Sequence, residues 1–130
     1  MAERVAFRGR MPADAAALSM EEYSKLVKSR QRRWLSRNSI QYRKLYEKIA
    51  ERIAKGVQKP VRTHVRDALI LPSWVGMDFE IYNGKEFMRV KIEANMLGHR
   101  LGEFAPSTKR VQHSAPGIKA TRGSKFLSQK

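Results

Sequence analysis

Three histidines, His64, His99 and His113, are the side chains in this sequence best suited to acid–base or metal chemistry. No two of them share an i, i+4 spacing and the chain has no cysteine, so the spacings typical of zinc sites are missing. We therefore expect no metal and no cofactor. His64 could be grouped with Ser73 and Asp67 as a hydrolytic triad, but the local sequence does not resemble a nucleophile elbow.

Glycine loops and paired carboxylates, the other common catalytic patterns, are also missing. Neither GxxxxGK[ST] nor GxGxxG occurs. Residues 98–102, GHRLG, resemble a glycine loop superficially, but we interpret Gly98 as a helix exit that needs a positive φ. The acidic residues are scattered along the chain. We predict that the protein is not an enzyme, and the alternative is an RNA-processing enzyme that uses His64 or His99 as acid or base.

Positive charge is the dominant property of the composition. Lys and Arg number 27 against 12 Asp and Glu, which gives a formal net charge of +15 on 130 residues. Like charge at this density destabilises a compact chain, and a polyanionic partner is the usual reason for it. Histidines beside arginines fit the same role, as donors to phosphate or as partners that stack on bases. The composition therefore predicts nucleic-acid binding, most readily to RNA.

The charge is distributed unevenly along the chain. Residues 1–59 carry 15 basic and 6 acidic side chains, residues 60–102 carry 6 and 5, and residues 103–130 carry 6 and 1. We expect the nearly neutral centre to be the folded core and the two basic arms to contact the nucleic acid. The predicted organisation is a basic helical N-terminal extension over 1–58, a folded core over 59–105 and a basic extended tail over 106–130.

The N-terminal segment has the signals of helices. Ser19 and Glu22 form a capping box, with a helix expected to about Lys28, and a second cap is expected at Asn38 or Ser39. A stripe at steps of three and four then predicts a longer helix that stops at Gly56, with Tyr42, Leu45, Tyr46, Ile49 and Ile53 on its apolar face. Its other face is either solvated or in contact with phosphates. That face carries Arg43, Lys44, Lys48, Arg52 and Lys55.

The central segment has the signals of a small sheet. Residues 77–81 and 88–92 alternate apolar and polar side chains, and Asn83-Gly84 between them predicts a two-residue type I′ hairpin. Residues 61–65 are a candidate third strand, whereas Pro72 prevents residues 68–71 from forming a long one. A short helix is expected over 93–97.

The tail from about Ala105 has little apolar periodicity and cannot bury enough surface to order itself. We expect a large assembly to hold it. No apolar run approaches the length of a membrane span, and the first 20 residues lack the apolar stretch of a signal peptide, so we expect an intracellular protein without membrane contact.

Residues 59–130 resemble the universal small-subunit ribosomal protein family number nineteen, in its archaeal and eukaryotic form. The most specific block is MLGHRLGEFA at residues 96–105. The other matching segments, in order, are 59–67, 70–72, 75–76, 82–87, 109–113 and 116–118, with a looser match of SRQRR at 29–33 to the N-terminal extension. Ser114 and Lys119 replace expected glycines, and Trp74 replaces an aliphatic residue.

The resemblance implies an α+β fold, a small domain with a three-stranded mixed sheet and short helices. It also implies a structural protein of the cytoplasmic small ribosomal subunit, bound to the 3′ major domain of the ribosomal RNA in the head. A neighbouring protein of the family numbered thirteen is the implied partner, and the tail would run toward the decoding region and tRNA. A DNA-compacting or RNA-chaperone module, which needs only the charge, remains the alternative.

The residues expected to bind RNA combine charge with position in the two arms or near the turns of the core. They are Arg30, Arg32, Arg33, Lys59, Arg62, His64, Arg66, Lys85, His99, Arg100, Lys109, Arg110, His113, Lys119, Arg122 and Lys125. No RNP1 motif or KH-type GXXG loop occurs, so base-by-base reading of a sequence is not indicated.

Overall fold

The computed structural model describes residues 7–37 and 40–111. Four helices come first along the chain: α1 (Pro12–Ala16), α2 (Met20–Leu26), α3 (Ser29–Arg37) and α4 (Ile40–Lys55). Three strands follow, β1 (Val61–Thr63), β2 (Asp78–Tyr82) and β3 (Phe87–Lys91). Short 3-10 helices occupy Pro72–Trp74, Ala94–Met96 and Leu101–Phe104. The predicted α+β class with an N-terminal helical extension is confirmed.

The strands in the described part of the chain form one mixed sheet in the order β1-β2-β3. β1 pairs with β2 in parallel, with Val61 opposite Phe79, and β2 pairs with β3 antiparallel, with Phe79 opposite Val90. Side chains alternate across β2, so that Phe79 and Ile81 are fully buried on one face. The alternation predicted from the sequence is confirmed.

The first helices follow the predicted signals closely. Ser19 Oγ accepts from the Glu22 N–H at 3.3 Å, and the Glu22 carboxylate accepts from the Ser19 N–H at 3.4 Å, which completes the capping box. α2 ends at Leu26, two residues earlier than expected. The cap expected at Asn38 or Ser39 lies outside the described residues.

Helix α4 buries three of the five residues of the predicted stripe. Tyr42, Leu45 and Ile49 are buried, whereas Tyr46 and Ile53 remain 39% and 49% exposed. The helix stops where predicted, because the N–H of Gly56 donates to the Ile53 carbonyl and the N–H of Val57 to the Arg52 carbonyl, the bonds of a Schellman motif.

The hairpin turn is the element for which the prediction is wrong. Tyr82 is opposite Phe87, so the connection has four residues rather than two. Gly84 has a positive φ but Asn83 does not, which excludes a type I′ turn. Instead the Asn83 side-chain oxygen accepts from the backbone N–H groups of Lys85 and Glu86, both at 2.9 Å. The asparagine acts through its side chain, as in an Asx turn.

The MLGHRLGEFA block lies against residues 66–70 through backbone hydrogen bonds. The N–H of Ile70 donates to the His99 carbonyl, that of Leu101 to the Ala68 carbonyl and that of Gly102 to the Arg66 carbonyl. Gly98 has the predicted positive φ, at 80°, at the exit of the Ala94–Met96 turn. The predicted helix over 93–97 is therefore shortened to one 3-10 turn. The most specific segment of the resemblance is thus a packing element of the core.

The hydrophobic core extends beyond the neutral centre of the sequence. Phe7, Leu18, Tyr23 and Val27 from the N-terminal segment belong to the same buried cluster as the sheet residues. Basic charge and core packing therefore coexist within residues 7–55. The division of the chain at 58 and 105 stays a prediction, and all but the first residues of the tail lie outside the described residues.

Tyr23 makes the central polar connection between the two parts of this core. Its fully buried hydroxyl donates to the Ile70 carbonyl at 2.6 Å and accepts from the Gly98 N–H at 3.1 Å. Phe7 packs on the Tyr23 ring with centroids 5.8 Å apart. One phenol therefore joins α2 to two segments that are distant in the sequence.

Tyr23→Phe should lower the free energy of unfolding by about 1–3 kcal/mol, because a buried carbonyl and a buried N–H lose their partner. Urea denaturation measures the difference. Tyr46→Phe is the matched control, since Tyr46 is partly exposed and should change stability by less than about 0.5 kcal/mol. Equal stabilities for the two variants would contradict the role given to Tyr23.

Stability at high pH tests the same hydroxyl. Burial raises the pKa of Tyr23 from 10.0 to about 12, and the Gly98 N–H opposes that shift more weakly. The folded chain therefore keeps a proton that the unfolded chain releases, so this contribution is complete below pH 10 and is lost as the pH rises through 12. The stability advantage over Tyr23→Phe should shrink by about 1.4 kcal/mol per pH unit in that window. A stability difference between the two proteins that stays constant across this pH range would contradict the role of the Tyr23 proton.

Candidate nucleic-acid interface

The basic residues divide into those whose side chains bond to the protein itself and those that have no such partner within the described ranges. Arg32 belongs to the first group. Its guanidinium donates to the carbonyls of Ser24 at 2.9 Å, Lys25 at 3.2 Å and Val27 at 3.4 Å. These are carbonyls at the end of α2, where a helix lacks internal donors. Arg32 therefore caps α2, and its predicted RNA contact stays a prediction.

Arg66 is the most fully engaged of the predicted RNA-binding residues. Its guanidinium donates to the carbonyls of Tyr82 at 2.7 Å, Gly102 at 2.9 Å and Ala105 at 2.6 Å. A Cβ on Gly102 would lie 3.0 Å from the Arg66 Cβ, so a glycine permits this close approach. The half-buried guanidinium connects the end of β2 to the Leu101–Phe104 turn. These bonds give Arg66 a structural role.

The outer face of the sheet carries charge that is largely neutralised. Arg62 Nε lies 2.5 Å from a carboxylate oxygen of Glu80, and an Arg89 guanidinium nitrogen lies 2.6 Å from one of Asp78. The hydrogen bond to Asp78 and its charge raise the pKa of Arg89. Arg62 also lies over the Phe87 ring, 5.2 Å from its centroid. The predicted contact residue Arg62 is therefore already paired.

Aromatic rings surround His64 next to this face. His64 is exposed, with its ring centroid 4.7 Å from that of Tyr82 and 5.2 Å from that of Phe87. The exposed imidazole offers a ring on which a base can stack. The geometry fits the predicted RNA-contact role, and no carboxylate among the described residues pairs with the imidazole.

Basic side chains on α4, and His99 next to the Leu101–Phe104 turn, also bond to groups within the protein. Arg52 donates to the carbonyls of Lys59 and Pro60, both at 3.0 Å, and Lys48 donates to that of Arg62 at 3.3 Å. His99 Nδ1 lies 2.5 Å from a Glu103 carboxylate oxygen. Arg52 attaches α4 to the segment that enters β1 and Lys48 attaches it to β1 itself, while the predicted phosphate contact of this face stays a prediction.

Four further predicted residues are exposed and make no ion pair within residues 7–37 and 40–111. They are Lys59, Lys85, Lys109 and Arg110. Their lysine and arginine heads are available to an external partner. The remaining predicted residues, His113, Lys119, Arg122 and Lys125, lie outside the described residues, and their roles stay predictions.

Helix α3 and the Arg100 segment bring four arginines together, none of which makes an ion pair within residues 7–37 and 40–111. Arg30 and Arg33, both predicted, share a face with Arg37, which the sequence analysis missed although it lies at i+4 from Arg33. Arg100 reaches the same place, with its guanidinium carbon 5.5 Å from the centroid of the Trp34 ring. These five side chains line one depression of about 350 Å³.

The described part of the chain contains no cluster of three or more His, Asp or Glu side chains placed to hold a metal ion. None of its helices is both long and apolar enough to cross a bilayer.

The fold and this surface define a small, strongly basic α+β binding domain. The family model for ribosomal protein S19 matches residues 33–113, more than half of the chain. The chain therefore belongs to the ribosomal protein S19 family: it is a structural protein of the small ribosomal subunit that binds ribosomal RNA, and it is not an enzyme. The match begins 26 residues before the resemblance seen in the sequence, so it includes α4 and half of α3.

Arg66→Lys keeps the positive charge but cannot reproduce three bonds from a planar fork. We expect it to lower the free energy of unfolding by about 2 kcal/mol in urea denaturation, because buried carbonyls lose their donors. Arg33→Lys, at an exposed position with no side-chain partner within residues 7–37 and 40–111, should stay within about 0.5 kcal/mol of the unaltered chain. Unchanged stability of Arg66→Lys, with weaker RNA binding, would instead support the RNA contact.

Proposed function

We propose that the chain binds the 3′ major domain of small-subunit ribosomal RNA in the head of the subunit. The observation that carries this proposal is the match to the ribosomal protein S19 family, together with the resemblance of residues 96–105 to that family. The net charge of +15 supports an electrostatic mode of binding, in which basic side chains displace counterions from phosphates.

The geometry supports shape and backbone recognition rather than the reading of base edges. Basic side chains that are exposed and make no ion pair within residues 7–37 and 40–111 include those on helix α3, on the connections near Lys59 and Lys85, and at the start of the tail. Contacts from such residues to phosphates fix the position of a protein on RNA without reporting the base sequence. The protein would then act as a brace that joins segments of folded RNA.

The tail is proposed to extend toward the decoding region and tRNA. Its sequence supports this role, since residues 106–130 contain six basic and no acidic side chains. Such a segment gains order by lying along phosphates rather than by burying apolar surface. A protein of the family numbered thirteen is the proposed neighbour in the head, and the assembled subunit would be cytoplasmic.

Footprinting on the complete small-subunit ribosomal RNA tests the proposed position. With the full chain bound, we expect protection of the backbone within the 3′ major domain. The affinity should also fall steeply between about 50 and 200 mM salt, by about a thousandfold for six phosphate contacts. The chain should also travel stoichiometrically with the small subunit in sucrose gradients.

Protection confined to another domain of the RNA would contradict the head position, and an affinity independent of salt would contradict the electrostatic mechanism. Failure to travel with the small subunit, with undiminished binding to unrelated nucleic acids, would favour a DNA-compacting or RNA-chaperone module.

A further inference from the structure

The distribution of paired and unpaired charge indicates which face of the protein meets RNA. On the outer face of the sheet, Arg62 and Arg89 are each bonded to a carboxylate. Helix α3 has the sequence SRQRRWLSR and contains no acidic residue. No ion pair within residues 7–37 and 40–111 compensates the arginines of α3.

The spacing of the α3 arginines places them together. Arg30, Arg33 and Arg37 are three and four residues apart, so their side chains project from one face of the helix. Arg30 also lies in the first turn, where the helix dipole disfavours a positive charge. Neither the dipole nor an ion pair within residues 7–37 and 40–111 accounts for a cation at this position.

The fourth guanidinium of the group is held in place before any ligand arrives. Arg100 donates to the Asp67 carbonyl at 3.0 Å and lies over Trp34. Trp34 in turn packs against Tyr42, with ring centroids 4.5 Å apart. A guanidinium fixed in this way loses less conformational entropy on binding, which favours the ligand that it faces.

We propose that Arg30, Arg33, Arg37 and Arg100, arranged around Trp34, form a clamp for consecutive phosphates of the ribosomal RNA backbone. Four guanidinium groups around one depression repel each other until an anion enters, and their planar forks match phosphate oxygens. The outer sheet face, whose arginines are paired, is not the principal RNA contact. Trp34 is a positioning residue that holds Arg100. The inference rests on the proposed function, because it assigns the RNA contact to one surface.

Matched double variants of the full chain test the clamp. Arg33→Gln/Arg37→Gln removes two unpaired charges from it. Lys55→Gln/Arg89→Gln removes two charges that are already paired, with Glu51 and Asp78. All four residues are exposed, so the two proteins should fold alike, which circular dichroism checks.

Binding to a transcript of the complete small-subunit ribosomal RNA is measured across a series of salt concentrations. The clamp variant should bind about 30-fold more weakly, and the slope of log affinity against log salt should become shallower by about two. The paired-charge variant should lose less than about threefold, because exposed ion-paired groups contribute little.

Tryptophan fluorescence provides an independent readout of the location. The chain has two tryptophans, and Trp74 is buried at 1% exposure, so Trp74→Phe leaves Trp34 as the single reporter. Saturating RNA should change the emission of Trp34 in this variant. Adding Arg33→Gln/Arg37→Gln should reduce the change at matched RNA concentration.

The outcomes separate this inference from the proposed function. If the unaltered chain does not bind the RNA, the proposed function itself fails. If it binds, but the two double variants lose equal affinity and Trp34 emission is unaffected, the clamp is wrong while RNA binding stands. If the clamp variant binds RNA normally but no longer joins the small subunit, the arginines contact a protein and the clamp is again wrong.

Discussion

The buried hydroxyl of Tyr23 is the interaction on which the rest of the structure depends. It satisfies the Ile70 carbonyl and the Gly98 N–H at once, in a place that water does not reach. The Gln31 side chain donates to the Gly98 carbonyl, so that both backbone polar groups of Gly98 are hydrogen-bonded. Tyr23 precedes the part of the chain that matches the S19 family, whereas Ile70 and Gly98 lie within it. Helix α2 is therefore joined to the family domain by hydrogen bonds of Tyr23 as well as by apolar packing, and α3 is attached to it through Gln31.

The attachment of α3 to the rest of the fold explains how arginine can have two roles in this protein. Arg32 and Arg66 use their forks on backbone carbonyls that would otherwise lack donors, and they stabilise the scaffold. Arg30, Arg33 and Arg37 lie on a helix that the scaffold fixes, and they face outward without a protein partner in the described chain. The number of basic side chains, 27, is therefore larger than the number that remain unengaged and available to RNA. The effective binding surface is smaller than the composition suggests, and it is localised.

Local signals in the sequence predicted the elements well where a single short-range interaction decides the structure. The capping box at Ser19, the stop at Gly56 and the alternation of β2 all depend on neighbours within a few residues. The hairpin turn failed because Asn83 has two competing uses. Its backbone can adopt a positive φ, or its side chain can accept from the following N–H groups, and the four-residue connection uses the second. The choice depends on the strand register, which the dipeptide alone does not set.

By itself, the sequence determined that the chain is a basic α+β protein, and the motif at residues 96–105 pointed to the family that the comparison then showed. Charge, periodicity and a characteristic motif are properties of the chain itself. Only the tertiary structure decided which arginines remain available, because that depends on carbonyls and carboxylates that folding brings within about 3 Å of them. Arg66 was predicted to contact RNA, and the fold shows in addition that it bonds to the carbonyls of Tyr82, Gly102 and Ala105. Arg37 became part of a site only when Arg100, 63 positions later, was placed beside the same depression. Hydrogen bonds between residues far apart in the chain leave no periodic trace in its sequence, so the pairing of each charge had to come from the fold.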